Sequence, residues 1–228
     1  MNDLISSLLH LAGALAVVLA TPRLLRSLGH DRKLLAGALL QVKCVVVLLL
    51  ASSAYHFGVH LWGEDDPLTL LLVRIDRAAV WLIYAGFFVL PHLILERGAW
   101  RWGPLALVWA IAGVGAATML HAYFELPPAQ LVLPYALASL IGVLSTARFV
   151  VRAGPRASLA LLVFWAAFTG AAACFVLRVP TLVPGWIGPH EVWHAGILLG
   201  IHAHWRFVQG ISAGIDPAPL VAPQPSEA

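Results

Sequence analysis

Charge is scarce in this chain: Asp, Glu, Lys and Arg make up 11% of its 228 residues, against a hydrophobic share of 61%. A soluble domain cannot cover its surface with so few charges, and seven apolar stretches point instead to a multi-span membrane protein. Cysteine is nearly absent too. Cys44 and Cys174 both fall within apolar stretches and form no disulfide framework, so they say nothing of redox compartment. The first Lys or Arg is Arg23, so the positive n-region of a signal peptide is missing. There is no strong internal repeat. The net charge of +3 comes from loop arginines, which bears on topology and argues against a nucleic-acid partner.

What is present is helix. The apolar stretches predict spans at 4–25, 34–62, 68–96, 103–124, 131–151, 157–178 and 186–210, separated by polar punctuation such as SLGHDRK, GEDDP, ERGAWRWG and RAGPRA. The connections are short, so consecutive helices are expected to be antiparallel neighbours. The expected architecture is an all-α membrane protein, a seven-transmembrane helix bundle occupying 1–212. A Pro- and Ala-rich tail over 213–228 is read as disordered.

Seven spans put loops one, three and five and the C-terminus on one side. That side collects Arg23, Arg26, Arg32, Lys33, Lys43, Arg97, Arg101, Arg148, Arg152, Arg156 and Arg206, and the other only Arg74, Arg77 and Arg178. The positive-inside rule then predicts an inner (plasma) membrane protein with its N-terminus outside and its C-terminus in the cytoplasm.

The chemistry concentrates on the outer side. His190 and His194, four residues apart, share one face of the last span. Ser52 and His56 stand one turn apart near the end of the second span, and Asp76 lies about two turns into the third. At about 1.5 Å per residue, His56 lies roughly 9 Å from that membrane face, Asp76 roughly 12 Å, and His190 and His194 roughly 6 to 12 Å. Ionisable groups at membrane depth are costly and mark function. Three imidazoles at one level, with a fourth position left to water or substrate, form the pattern of a catalytic zinc site, here set between helices 2, 3 and 7. Asp76 would hold and deprotonate the water, and Ser52 would steady the developing oxyanion or orient a ligand.

Other polar residues have plainer readings. His10, on the outer half of the first span, reads as packing between helices, and His60 as a surface neighbour of His56. His121 and Glu125 read as interfacial, or as lining a substrate entry. His202 and His204 read as interfacial with Trp205 and Arg206, as do Trp62, Trp100, Trp102 and Trp186. His190-Glu191-Val192-Trp193-His194 also matches the H-E-x-x-H metalloprotease helix, with Glu191 as base. That reading leaves Ser52, His56 and Asp76 unexplained, and His202 misses the spacing of a third ligand.

The segments SSAYHF, RIDRAAVWLIYAG, ERGAWRWGPLALVWAIAG and PHEVWHAGILLGIHAHWRF, with SLLHLAGALAVV in the first span, resemble the hemolysin III family. This family is grouped with the progestin and adiponectin receptors and, more distantly, the alkaline ceramidases in the CREST superfamily. The resemblance implies zinc ligands at His56, His190 and His194, with Asp76 and Ser52 as the acid–base and hydroxyl partners. It further implies a zinc-dependent hydrolase of lipid amides such as ceramide, working through a zinc-activated water, with membrane lipids as surroundings and substrate. Two alternatives stand beside it: a lipid-sensing receptor with a structural zinc, and a pore-forming hemolysin. The chain departs from the family's pattern in having Arg77 after Asp76 where histidine is common, and FFVLPH after the Ala-Gly of the third span.

Overall fold

The computed structural model describes residues 2–29, 31–125 and 128–214. Seven helices follow one another: α1 (Asn2–Ser27), α2 (Arg32–Trp62), α3 (Pro67–Leu95), α4 (Gly98–Ala122), α5 (Pro128–Ala153), α6 (Pro155–Leu177) and α7 (Pro189–Gly214). Their starts are written in local chemistry. The Asp31 side chain accepts the Lys33 and Leu34 backbone N–H groups, and Asp66 does the same for Leu68 and Thr69 ahead of Pro67.

Five helices, α1 to α4 and α6, are long and apolar enough to cross a membrane. α7 is as long as α1 but carries His190, Glu191, His194, His202, His204 and Arg206, which lower its hydropathy. Leucines and valines such as Leu15, Leu19, Val114 and Leu159 face outward from the bundle. An apolar exterior around a packed interior is what hydrocarbon solvent favours.

Sequential neighbours pack on one another around the bundle, α1 closes on α7, and α3 touches α2, α4, α5 and α7. α3 is the most deeply buried of the five apolar helices, because small residues let its neighbours approach. At Gly86, a Cβ would lie 2.9 Å from the Cys44 Cβ of α2.

One expectation needs correction, at the start of α7. Residues 186–188, read from sequence as the start of the seventh span, lie outside it. Val183 and Ile187 pair as an antiparallel bridge about Pro184 and Gly185, and the helix begins at Pro189. The turn-forming Pro-Gly pair outweighs the apolarity of Trp186 and Ile187. The tail expected over 213–228 lies outside the described residues except for Ala213 and Gly214, which still belong to α7.

Candidate metal centre

The N-terminal half of α1, the C-terminal half of α2 and the first two turns of α7 meet at one end of the bundle. α1 brings a polar stripe there, Asp3, Ser7 and His10, spaced four and three residues apart and therefore on one face. Ser7 Oγ and Ser53 Oγ are 3.1 Å apart, and Ser53 Oγ donates to the Ser7 carbonyl at 3.0 Å, which fixes α1 against α2. Asp3 Oδ1 lies 2.9 Å from His56 Nδ1. A carboxylate only accepts, so Nδ1 carries the proton and His56 offers the lone pair of Nε2.

Three further imidazoles gather around His56. His10 Nε2 and His194 Nδ1 are 2.7 Å apart, and His194 Nε2 and His190 Nε2 are 3.1 Å apart. The His56 ring centroid lies 4.7 Å from that of His194 and 5.0 Å from that of His190. One ligand atom from each of His10, His56 and His194 falls within 4.8 Å of the others, and all three residues are buried. His190 is half-buried at the mouth. His10 Nδ1 is buried with no hydrogen-bond partner.

Asp76 and Ser52 are buried as well. Ser52 is hydrogen-bonded to the Asp76 side chain, and Ser52 lies one turn before His56 on the same face of α2. Arg77 Nη1 stands 3.8 Å from Asp76 Oδ2. Glu191 serves its own helix. Its Oε2 accepts the Gly188 backbone N–H at 2.8 Å, in front of the first turn of α7. Its Oε1 is 3.8 Å from His190 Nδ1.

The donor set suits a transition metal. Neutral imidazoles are the usual nitrogen ligands of zinc, copper, iron and nickel, and the Nε2 atoms of His190 and His194 are spaced close to the roughly 3.3 Å edge of a tetrahedron with bonds of about 2.0 Å. The described residues therefore fit a metal ion, and composition alone does not name it.

The profile of the haemolysin-III related family matches residues 1–205. The chain belongs to that family. No curated protein matches it closely enough to add a relative. Membership agrees with the resemblance read from SSAYHF, RIDRAAVW and PHEVWHAG, and marks this haemolysin-III related chain as an integral membrane protein.

Relative to the sequence reading, His56 and His194 come together, with His190 alongside. Asp76 and Ser52 come together as a pair. His60, His121 and Glu125 are exposed. Two participants escape that reading. His10 does sit between helices, but in the midst of the imidazoles, and Asp3 is the partner of His56. The same depth arithmetic used for the other histidines puts His10, about 9 Å along the first span, at their level. Asp3, seven residues earlier on the same face, precedes the apolar run and so carries no signal of its own. His204 is also corrected: it is buried, with Nε2 donating to the Phe87 carbonyl at 2.9 Å and Nδ1 lying 3.3 Å from Gln41 Nε2. Trp205 beside it is buried as well, because α7 turns this stretch towards α2, α3 and α6.

Proposed function

We propose that this protein is a zinc-dependent membrane hydrolase acting on a lipid amide, its metal held by His56, His190 and His194. The observation that carries the ligand set is the hydrogen bonding of the outer nitrogens. Asp3 occupies His56 Nδ1 and His10 occupies His194 Nδ1, so both rings are left with Nε2 for the ion, beside His190 Nε2. Metal-ligating histidines are commonly oriented in this way by a partner on the second ring nitrogen. On this reading His10 positions His194 rather than binding the ion.

Bound zinc supplies Lewis acidity towards a carbonyl oxygen and lowers the pKa of water. Asp76 takes the proton from the attacking water as it adds to the amide carbon, and returns it to the nitrogen as the C–N bond breaks. Ser52 holds Asp76 in orientation or donates to the oxygen on which negative charge develops. Arg77, beside Asp76, draws an anionic headgroup to the entrance.

A lipid substrate is supported by a second feature. A cavity of about 290 Å³ lies among α2, α3, α5, α6 and α7, walled by Phe87, Phe164, Phe168, Trp193 and Ile197 and reaching His204. Trp193 and Ile197 stand one and three residues from His194 on α7, and the apolar space that they help to wall suits an acyl chain. All seven helices cross the membrane on this reading, with the N-terminus outside.

One observation favours a second reading. If His10 also binds, four imidazoles close the coordination sphere and the metal is structural, as in a lipid sensor. Hydrolysis of a ceramide and N-acyl amine panel by protein purified with its metal separates the two. Activity is expected, with Asp76→Asn reducing the rate by about 10²–10⁴, and with Glu191→Gln keeping most of it. Full activity in Asp76→Asn with none in Glu191→Gln transfers the role of base to the H-E-x-x-H helix. No hydrolysis by metal-loaded protein favours the sensor.

A further inference from the structure

At the opposite end of the bundle from the imidazoles, the C-terminal ends of α1, α3, α5 and α7 meet the beginnings of α2 and α4 around a cavity of about 380 Å³. Its wall carries four cations, Lys33, Arg97, Arg101 and Arg152, and one carboxylate, Asp31. Asp31 is already engaged, capping the first turn of α2 through Oδ1. Behind the wall, Glu96 is buried at 1% exposure and takes Arg148 in a two-bond fork, Nε to Oε1 at 3.0 Å and Nη2 to Oε2 at 2.9 Å. Arg152 Nε approaches the same carboxylate at 3.5 Å, and Arg101 Nε donates to the Glu96 carbonyl at 2.7 Å. Glu96 thus holds Arg101 and Arg152 in place, while its charge is met by the Arg148 fork.

Lys33 and Arg97 form no ion pair with any carboxylate among the described residues. Arg97 is also the N-cap of α4 and gives no side-chain hydrogen bond to that helix, so the positive end of α4 is uncapped by a side chain. Like charges crowded around a cavity repel unless an anion joins them. The cavity's level in the bilayer indicates which anion. Trp100 and Trp102, both more than half exposed, flank Arg101 on α4, and the Arg148 guanidinium lies 3.9 Å above the Trp100 ring. Exposed tryptophans of this kind mark the headgroup layer. Leu34 and Ile94 add apolar wall where the first carbons of a lipid would enter.

We propose that this cavity binds the phosphate of an anionic phospholipid headgroup from the adjacent leaflet, with Lys33 and Arg97 as its free cations and Arg101 and Arg152 as cations pre-set by Glu96. Basic pockets between helices at this level are suited to such headgroups. The site is separate from the proposed hydrolase centre and stands whether or not that reading holds.

The shared chemistry is a phosphate ester, whose source is a lipid or a soluble metabolite, so the test uses both. Full-length protein in a neutral detergent is titrated with dioctanoyl phosphatidylglycerol, dioctanoyl phosphatidylcholine and glycerol 3-phosphate, and binding is followed by native mass spectrometry. Phosphatidylglycerol is expected to bind at least about tenfold tighter than the other two, and the double variant Lys33→Gln/Arg97→Gln to lose about tenfold or more of that affinity. The control, Arg23→Gln/Arg156→Gln, removes the same charge outside the cavity and is expected to stay within about twofold. Equal loss in both doubles reduces the effect to general electrostatics and overturns the site. Unchanged binding in the cavity double overturns it as well. Glycerol 3-phosphate binding as tightly as the lipid, and lost in the cavity double, gives the cavity to a soluble phosphate and overturns the lipid. Both doubles should elute as the parent does on gel filtration, since neither Lys33 nor Arg97 has a side-chain partner among the described residues.

Discussion

His194 stands between two imidazole partners, and one residue separates the catalytic from the structural site. Its Nδ1 is 2.7 Å from His10 and its Nε2 is 3.1 Å from His190. An ion held by Nε2 atoms makes His190 a ligand and His10 a support. Single alanine variants then divide: His56→Ala, His190→Ala and His194→Ala lose stoichiometric zinc, while His10→Ala keeps it with affinity lowered about 10- to 100-fold. Because a ligand at a hundredfold excess over its Kd adds about 2.7 kcal/mol to the folded state, the three ligand variants should also unfold at lower temperature, and added zinc should not rescue them. Metal analysis after dialysis checks the ligand set. Zinc retained by His190→Ala and lost by His10→Ala would make His10, His56 and His194 the ligands. The sequence exposes most of this site, because HxxxH and SxxxH spacing fixes which side chains share a helix face. It hides Asp3 and His10, since nothing in one helix's own pattern tells which neighbour its polar stripe will meet. The pairing of Ser7 with Ser53 that sets α1 against α2 is long-range and leaves no local mark.

At the scale of the helices, close packing rather than polar bonding brings α6 against α7. A Cβ at Gly196 would lie 2.2 Å from the Ala171 Cβ and 3.1 Å from the Ala167 carbonyl oxygen. The alanine methyl and the backbone have no rotamer with which to retreat, so the helices must separate. Gly196→Ala is expected to destabilise by about 1–3 kcal/mol and to loosen metal binding, because Gly196 is two residues from His194. Gly170→Ala on α6, where a Cβ meets nothing within 4 Å, should be neutral or slightly stabilising. Thermal unfolding of the two purified variants makes the comparison, and equal losses would remove the packing argument. Helix existence is legible throughout, as the apolar runs are local signals. Helix neighbours are less so. His204 and Trp205 look interfacial by position, yet α7 turns them inward, His204 onto Phe87 and Gln41.

For the whole molecule the question is direction, and the proposed orientation rests on charge. The imidazoles occupy the end with the N-terminus and the GEDDP loop, and the cationic cavity occupies the end with ERGAWRWG and RAGPRA. Eleven of the fourteen basic residues fall on the second side. An excess of Lys and Arg in short loops is retained in the cytoplasm, and the anionic cytoplasmic surface attracts each such residue by about 1 kcal/mol. On the orientation we propose, the two sites would face opposite compartments: the metal centre would open outward, and Lys33, Arg97, Arg101 and Arg152 would sit against the leaflet richest in anionic lipid. A fluorescent reporter fused after Ala228 is expected to fold in the cytoplasm. Asp65→Cys, at the exposed GEDDP loop, should react with an impermeant maleimide added to intact cells, with Cys44 and Cys174 changed to serine to remove background. Arg97→Cys should react only after the cells are opened. Labelling of Arg97→Cys in intact cells, with Asp65→Cys protected, would reverse the bundle. The metal centre would then draw its substrate from the cytoplasm, and the cationic cavity would lose the anionic surface that favours its filling.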